Sequence, residues 1–395
     1  MDTTTTPAGT HARSSRGKDQ IHWGEEVWKA LDHAVVHEMM RTRVAAKFLP
    51  HVHVDKKQTN VASDVVIVPQ AGVGIDTTLS IDESDTRRIQ EYSVQFKLTP
   101  AQTETEAHHD TAVSHHMAAS PPHEGTAVGQ PQEHGAMSHS HMNPGYHHRA
   151  STGVSLALRS ANVLAQAEDL VLFNGQNAVV NNPLFTNKVV QVLDPNLAVN
   201  LDFGLLNVDP SGDIKLPAAQ VIYVKPVVPA VPGSPPQYRE ATLNAVASAF
   251  SILQGAGHYE HYALVLNTIP YADLHQALPS TLIEPIEPIS HLIKAGIYGT
   301  ATLPPFNSAN TGLPKTIGGQ PLPVPVANVA YTGVVVSLSG NAMDHVRGRM
   351  EDHLDVVVTY NQKDVSENYR FRVVQRFALR LKDPTAVILL VFLSQ

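Results

Sequence analysis

Cysteine is absent from the 395 residues, which excludes disulfides, thiolate chemistry and Cys-ligated zinc. Charge is sparse and not basic: only 16% of residues are charged and the formal net charge is −8. Nucleic-acid recognition needs clustered lysine and arginine, so neither DNA nor RNA is an expected partner. Long hydrophobic runs are also missing. A membrane-spanning helix takes about 20 apolar residues, far more than the run from Ala386 to Leu393, so no membrane partner is expected. Residues 1–20 are polar and lack the apolar region of a signal peptide. They are expected to be a disordered arm on an unexported, cytoplasmic protein. Hydrophobic residues still make up 43% of the chain, enough for a sizeable core.

The common catalytic motifs are missing as well. Lys315-Thr316 follows Gly312 without the spaced glycines of a phosphate cradle. There is no G-x-S-x-G elbow, and His37-Glu38 lacks the second histidine of a zinc-protease helix. No catalytic or cofactor-binding residue is assigned, and the chain is not expected to be an enzyme.

What is present is a set of ordered patterns. Trp23, Val27, Leu31 and Val35 recur at helical spacing, with Trp28, Met39, Val44 and Phe48 extending the face. Pro50 ends that helix, and His51 to Val54 alternates like a strand. Thr59 to Leu98 reads as extended structure interrupted by a glycine turn. Between Ala101 and Ala150 lie ten of the 22 histidines with almost no branched aliphatics, a composition that cannot offset its ordering entropy. A helix resumes near Gly153, with Leu156, Val163, Ala167, Leu170 and Val171 on one face. Residues 181–236 mix short apolar stretches with Pro and Gly, which favours short strands. A further helix covers Tyr238 to Gln254 and stops at Gly255. A proline-rich loop over Pro304 to Pro325 precedes strands at Gly333 to Leu338 and Leu354 to Tyr360. The last patterns are Tyr369 to Leu381, where apolar residues are interleaved with arginine, a break at Asp383-Pro384, and the apolar run Ala386 to Leu393.

That closing stretch, NYRFRVVQRFALRLKDPTAVILLVF, resembles the end of the family 1 encapsulins, linocin-like shell proteins with the HK97 phage-capsid fold. ANVLAQAEDLVLFNG (Ala161 to Gly175), with its Glu-Asp pair before an apolar triplet and a Gly turn, resembles the end of the family's spine helix. SAFSILQGAGHYEHYALVLN resembles its next helix and strand. A short helix at Tyr271 to Leu278 and the run Ile289 to Pro304 continue the family's order. The resemblance implies an α+β, HK97 capsid-like fold with a P-domain, an A-domain and an extended E-loop. It divides the chain into 1–20, a disordered arm; 21–54, the N-terminal helix and start of the P-domain; 55–98, an E-loop-like arm; 99–150, a His-rich disordered insertion; 151–180, the spine helix; 181–236, a β insertion; 237–352, the A-domain; and 353–395, C-terminal strands returning to the P-domain.

The function so implied is a self-assembling subunit of an icosahedral nanocompartment. Its partners would be copies of itself and a cargo protein held by a short targeting peptide, with ferritin-like proteins and dye-decolourising peroxidases as the family's common passengers. Trp23, Val27, Leu31 and Val35 either are core or border the cargo groove. Leu282, Glu284 and Glu287 fall where the family lines its five-fold pore, and either ring that opening with carboxylates or are solvated. Two alternatives stay open: a phage or prophage major capsid protein of the same fold, and a metal-binding or storage role for the histidines. His108, His109, His115, His116, His134, His139, His141, His147 and His148 either bind transition metals weakly or merely titrate in a linker. The pairs His33 with His37, His51 with His53, and His258 with His261 fit a shared metal or a structural role.

Overall fold

The computed structural model describes residues 21, 23–67, 80–82, 86–99, 101–103, 152–193, 203–207, 215–231, 234–278, 282–303, 316–317, 320–321, 329–350, 353–358 and 369–395. The chain divides into two compact units: residues 1–37, 95–161 and 352–373, and residues 38–94, 162–351 and 374–395. The expected arm at 1–20 and nearly all of the His-rich segment lie outside the described residues.

Helix α1 (Glu25–Thr42) carries Glu25 and Glu26 in its first turn and Arg41 in its last, charges that suit the helix dipole at each end. It does not run on to Phe48 as the periodicity predicts. The amides of Val44 and Ala45 turn instead to the Asp169 carboxylate, and a separate short helix, α2 (Ala45–Phe48), begins there. Strand β1 (His51–Val54) follows Pro50. Four short strands come next: β2 (Asn60–Ala62), β3 (Val65–Ile67), β4 (Ser80–Asp82) and β5 (Thr86–Arg88). They pair antiparallel, β2 with β5 and β3 with β4, and with no other strand among the described residues. The result is a two-stranded arm. The arm ends earlier than the expected 55–98, because β6 (Gln90–Leu98) joins a main sheet and buries Tyr92, Val94, Phe96 and Leu98.

Helix α3 (Thr152–Asn181) is the long helix the sequence predicts. Of its expected face Ala167 and Val171 are buried and Leu156, Val163 and Leu170 half-buried, while Ala157, Ala161, Leu164, Ala165 and Leu172 are buried as well. The buried side also takes in the Glu168-Asp169 pair, at positions that a hydrophobicity pattern assigns to solvent. Gly175 breaks the helix with φ 54°. The carbonyls of Leu172 and Phe173 then accept from the amides of Leu205 and Leu206 at 2.9 Å each.

The remaining elements are α4 (Pro183–Thr186), β7 (Val190–Val192), β8 (Val221–Val224), α5 (Arg239–Gly255), β9 (Tyr262–Asn267), α6 (Thr268–Asp273), α7 (Ile286–Leu292), β10 (Gly296–Thr300), β11 (Thr316–Ile317), β12 (Gln320–Pro321), β13 (Val329–Ser337), β14 (Met343–Gly348), β15 (Leu354–Val358), β16 (Tyr369–Leu381) and β17 (Val387–Leu393). Helix α6 starts three residues before the expected Tyr271, because the Asn267 side chain caps it by accepting from the Ile269 amide at 3.2 Å.

In the first unit β15 pairs antiparallel with the start of β16, Leu354 opposite Val373. Trp23 stacks on Phe371 at 5.4 Å and lies 4.7 Å from Trp28, while Phe96 stacks on Phe371 at 5.0 Å. Asp32 accepts from the His353 amide at 2.7 Å.

The described strands form two main sheets. One is six-stranded with order β1-β14-β16-β6-β7, β15 being attached to β16; the other is five-stranded with order β10-β9-β13-β17-β8. Three expected boundaries change. Residues 181–236 are not an added β element, since β7 pairs with β6 and β8 with β17. Strand β14, expected within the A-domain, belongs to the six-stranded sheet. Strand β17 does not return there with β16: the chain turns at Asp383-Pro384, where Asp383 accepts from the Thr385 amide at 2.9 Å, and β17 enters the five-stranded sheet. It lies between β13 and β8, and all seven residues are buried. Ile388, Leu390 and Phe392 pack with Val246, Phe250 and Leu253 of α5. Each fully buried aliphatic or phenyl group contributes about 1.5–3 kcal/mol, so its own chain covers this strand and no neighbour is needed.

Candidate functional site

The arm is fixed where it leaves the second unit. Alternate residues of β16 from Arg376 onward, namely Arg376, Ala378, Arg380 and, just beyond the strand, Lys382, share one face. Ala378 packs there with Val346 against Val61 and Ile89 at the arm's base, with Val52 and Val54 of β1 beside them. Arg376 donates to the carbonyls of Lys56 at 2.5 Å and Gln58 at 3.0 Å. Arg380 donates to Asp64 at 2.6 Å and to the carbonyl of Ala62 at 3.4 Å, and it also pairs with Asp344. Lys382 reaches the same Asp344 carboxylate at 2.9 Å. Asp344 is 1% exposed, so two cations compensate a charge that water does not reach.

Asp64 separates the two ladders of the arm and has φ 49°, a conformation that asparagine and aspartate tolerate better than most residues. On one side of it Val61 and Ser63 are buried; on the other Ile81 is 59% exposed. The base is thus part of the second unit's core, and the outer ladder is a hairpin with no further strand partner among the described residues. Such isolated ribbons are marginally stable in water.

Asp169 anchors the α1–α2 junction in the same unit, with Val44 and Ala45 amides donating at 2.8–2.9 Å. Burial pushes its carboxyl up to about 7, with the adjacent Glu168 charge adding to the rise and the amide bonds opposing it.

The sequence-predicted residues are distributed as follows. Trp23, Leu31 and Val35 are buried and Val27 is half-buried. The Trp23 indole donates to the Thr103 carbonyl at 2.9 Å. The buried face runs through Trp28, Leu31, Val35 and Met39, so the expected stripe is displaced at Val27 and three of its four members are core. Leu282 is 82% exposed at φ 59°, and Glu284 lies 3.7 Å from His275. Glu287 is not in a loop: it stands in the first turn of α7, where an acidic side chain suits the dipole. His108, His109, His115, His116, His134, His139, His141, His147 and His148 lie outside the described residues.

His33 and His37 are exposed, while the flanking Asp32 and Glu38 bind the His353 amide and Arg41. His258 is buried against Thr385 at 3.0 Å, whereas His261 is exposed and turned away on a residue with φ 56°. Among the described residues no group of three or more His, Asp or Glu side chains is placed to hold a metal. None of the described helices is long and apolar enough to cross a membrane. Pattern reading missed the root residues Asp64, Asp344, Arg376 and Arg380. Their one sequence signal is the arginine spacing in β16.

No family profile matches the sequence, and no curated protein sequence matches it either. Solved structures do. The chain is similar to a virus-like particle from Pyrococcus furiosus at 12% identity, covering 92% of this chain and 99% of that one, with a TM-score of 0.50. It is also similar to the capsid of the cyanophage P-SCSP1u (12% identity, 89% and 88% covered, TM-score 0.42). A phage-related protein from Bordetella bronchiseptica RB50 matches as well (12% identity, 92% and 96% covered, TM-score 0.43). At such identities likeness speaks to fold alone, and the first of these carries it. The chain has the α+β, HK97 capsid-like fold of shell proteins.

Proposed function

We propose that this protein is the subunit of a self-assembling, capsid-like shell and performs no catalysis of its own. The observation that carries this reading is the arm. A two-stranded ribbon clamped at its root by Arg376 and Arg380, whose outer ladder has no further strand partner among the described residues, is suited to lie on a second copy of the chain. There its apolar residues and free strand edges find the partners an isolated hairpin lacks.

Within that reading the shell is an encapsulin-type compartment that encloses a cargo protein. The C-terminal resemblance and the acidic balance of −8 support it over a capsid filled with nucleic acid, whose polyanionic contents favour basic inner surfaces. Since Trp23, Leu31 and Val35 are core, a cargo peptide would meet the half-buried Val27 rather than the whole stripe. Leu282 and Glu284 remain the residues proposed for an opening, where repeated carboxylates would favour cations. Negative-stain microscopy of the purified chain tests assembly: closed particles are expected, and monomers or dimers alone would refute the shell. The absorbance ratio at 260 and 280 nm of particles from the native host separates protein contents from nucleic acid.

A further inference from the structure

Glu168 and His345 are both fully buried and Arg43 is 5% exposed. The Glu168 Oε1 lies 3.1 Å from His345 Nε2, and Glu168 Oε2 lies 3.8 Å from Arg43. Yet neither Glu168 oxygen, neither His345 ring nitrogen nor Arg43 Nη1 has an aligned hydrogen bond. Buried polar atoms are nearly always satisfied, and an ion cluster without aligned bonds is poor for stability compared with apolar packing. This cluster asks for a different explanation.

Its position supplies one. The carboxylate comes from α3, Arg43 from the α1–α2 junction and His345 from β14. Strand β1 runs parallel to β14 with His51 opposite His345. The His345 amide donates to the Pro50 carbonyl at 2.8 Å, and the His51 ring is 5.2 Å from the His345 ring. Beyond β1 the chain enters the arm. We propose that Glu168, His345 and Arg43 form an acid-sensitive latch that fastens the α1–α2 junction, and through it the start of β1, to β14.

Every neighbouring element contributes to the balance. Helix α3 presents Glu168 and Asp169; Arg43 and Lys47 come from the junction and α2; β1 brings His51 and His53; β14 brings Arg347; and β16 adds only the Phe377 ring, 5.8 Å from His345. Burial holds His345 below its ordinary value, Glu168 opposing and Arg347 and Arg43 assisting. Burial acts to raise Glu168, while the Arg43 guanidinium beside it favours its ionised form. Arg43 carries a permanent charge, so the resting cluster is ionised Glu168 against Arg43 with neutral His345. His51 is lowered to about 4, first by partial burial and then by His345 and Arg347; its exposed side lets solvent screen part of that effect.

The direction follows. A histidine whose folded value lies below 6.5 binds fewer protons folded than unfolded, so its contribution is complete above the unfolded value and is lost as pH falls below it. A proton on His345 would add a further positive charge beside Arg43 and Arg347. Arg347 shares β14 with His345, so the position that relieves the repulsion is one in which the junction carrying Arg43, and β1 after it, has left β14.

Histidine C2–H exchange and amide exchange, both read by mass spectrometry on the full chain between pH 8 and 4.5, test the latch. His345 is expected to titrate below 6.5. Over the same interval amide protection of residues 44–54, corrected for intrinsic rate, should fall at least tenfold while that of 262–267 in β9 persists. His51→Gln, a surface change, should raise the His345 midpoint; His345→Gln should abolish the acid step in 44–54. Titration of His345 at or above 6.5 overturns the proposal, as does protection of 44–54 that is indifferent to pH or is lost only together with that of β9. Light scattering on the same samples reports assembly, so failure of the shell reading is seen separately from failure of the latch.

Discussion

Replacing Arg380 by glutamine removes the guanidinium shared by Asp64, the Ala62 carbonyl and Asp344. Asp344 is 1% exposed, and a hydrogen bond to such a charge contributes roughly 1.5–3 kcal/mol. Lys382 stays 2.9 Å from it, so the full penalty for an orphaned buried charge, about 3–5 kcal/mol, does not apply. The Asp64 side chain is 30% exposed, and solvent screening limits that pair to below about 1 kcal/mol. Together these give a loss of about 2–4 kcal/mol, or roughly 5–12 °C in Tm for a unit of this size. Chemical denaturation of the purified protein measures the loss, and amide exchange locates it: residues 60–67 and 86–88 should lose protection before β17 does. A double-mutant cycle should show stronger coupling of Arg380→Gln to Asp344→Asn than to Asp64→Asn. A Tm shift below about 2 °C, or an arm whose exchange is unchanged, would refute the assignment of Arg380 as the clasp of the root.

Phe392→Ala empties a fully buried site beside Tyr238, whose ring lies 4.8 Å away; a loss of about 3–5 kcal/mol is expected, visible as a lower denaturation midpoint and poor soluble yield. Gly204→Ala should cost at least about 2 kcal/mol, because φ is +76° and the new Cβ would sit 2.5 Å from the Phe173 carbonyl oxygen; near-neutral stability would show that the 204–206 contact with the helix end is dispensable. Asp169→Ala removes the acceptor for the Val44 and Ala45 amides and should cost about 1–2 kcal/mol, with exchange rising first at residues 43–49. Deleting residues 104–150 should leave particle formation intact by negative stain; loss of particles would show that the segment belongs to the assembling body.

The elements that were legible in the sequence are those whose own residues determine their burial. Tyr369–Leu381 alternates and is β16; Asp383-Pro384 stops it; Val387–Leu393 is apolar throughout and is fully buried as β17. Helix α5 and strand β9 are direct in extent: Val246, Phe250 and Leu253 bury one side of α5, and all six residues of β9 are buried. Less direct is β14, MDHVRG, whose polar composition hides an inner strand between β1 and β16. Its pairing supplies the backbone partners that its side chains do not advertise. Helix α3 was legible in extent but only partly in rotation: Ala167 and Val171 are buried as their pattern predicts, but Glu168 and Asp169 share that buried side.

Length, composition and local pattern therefore determined a chain of mixed helices and strands without thiol, membrane-helix or nucleotide-motif chemistry, and placed most of those elements; the α+β, HK97-like class came from the resemblance of its motifs. Tertiary structure alone decided that β16 and β17 part into different sheets, that the arginines of β16 clasp an arm rooted some 320 residues earlier in the chain, and that a buried carboxylate meets a buried histidine. Hydrophobic periodicity reports how much of a side chain leaves water, which each short segment carries in itself. Which partner compensates a buried charge, and which edge a strand joins, depends on residues brought together across the whole chain.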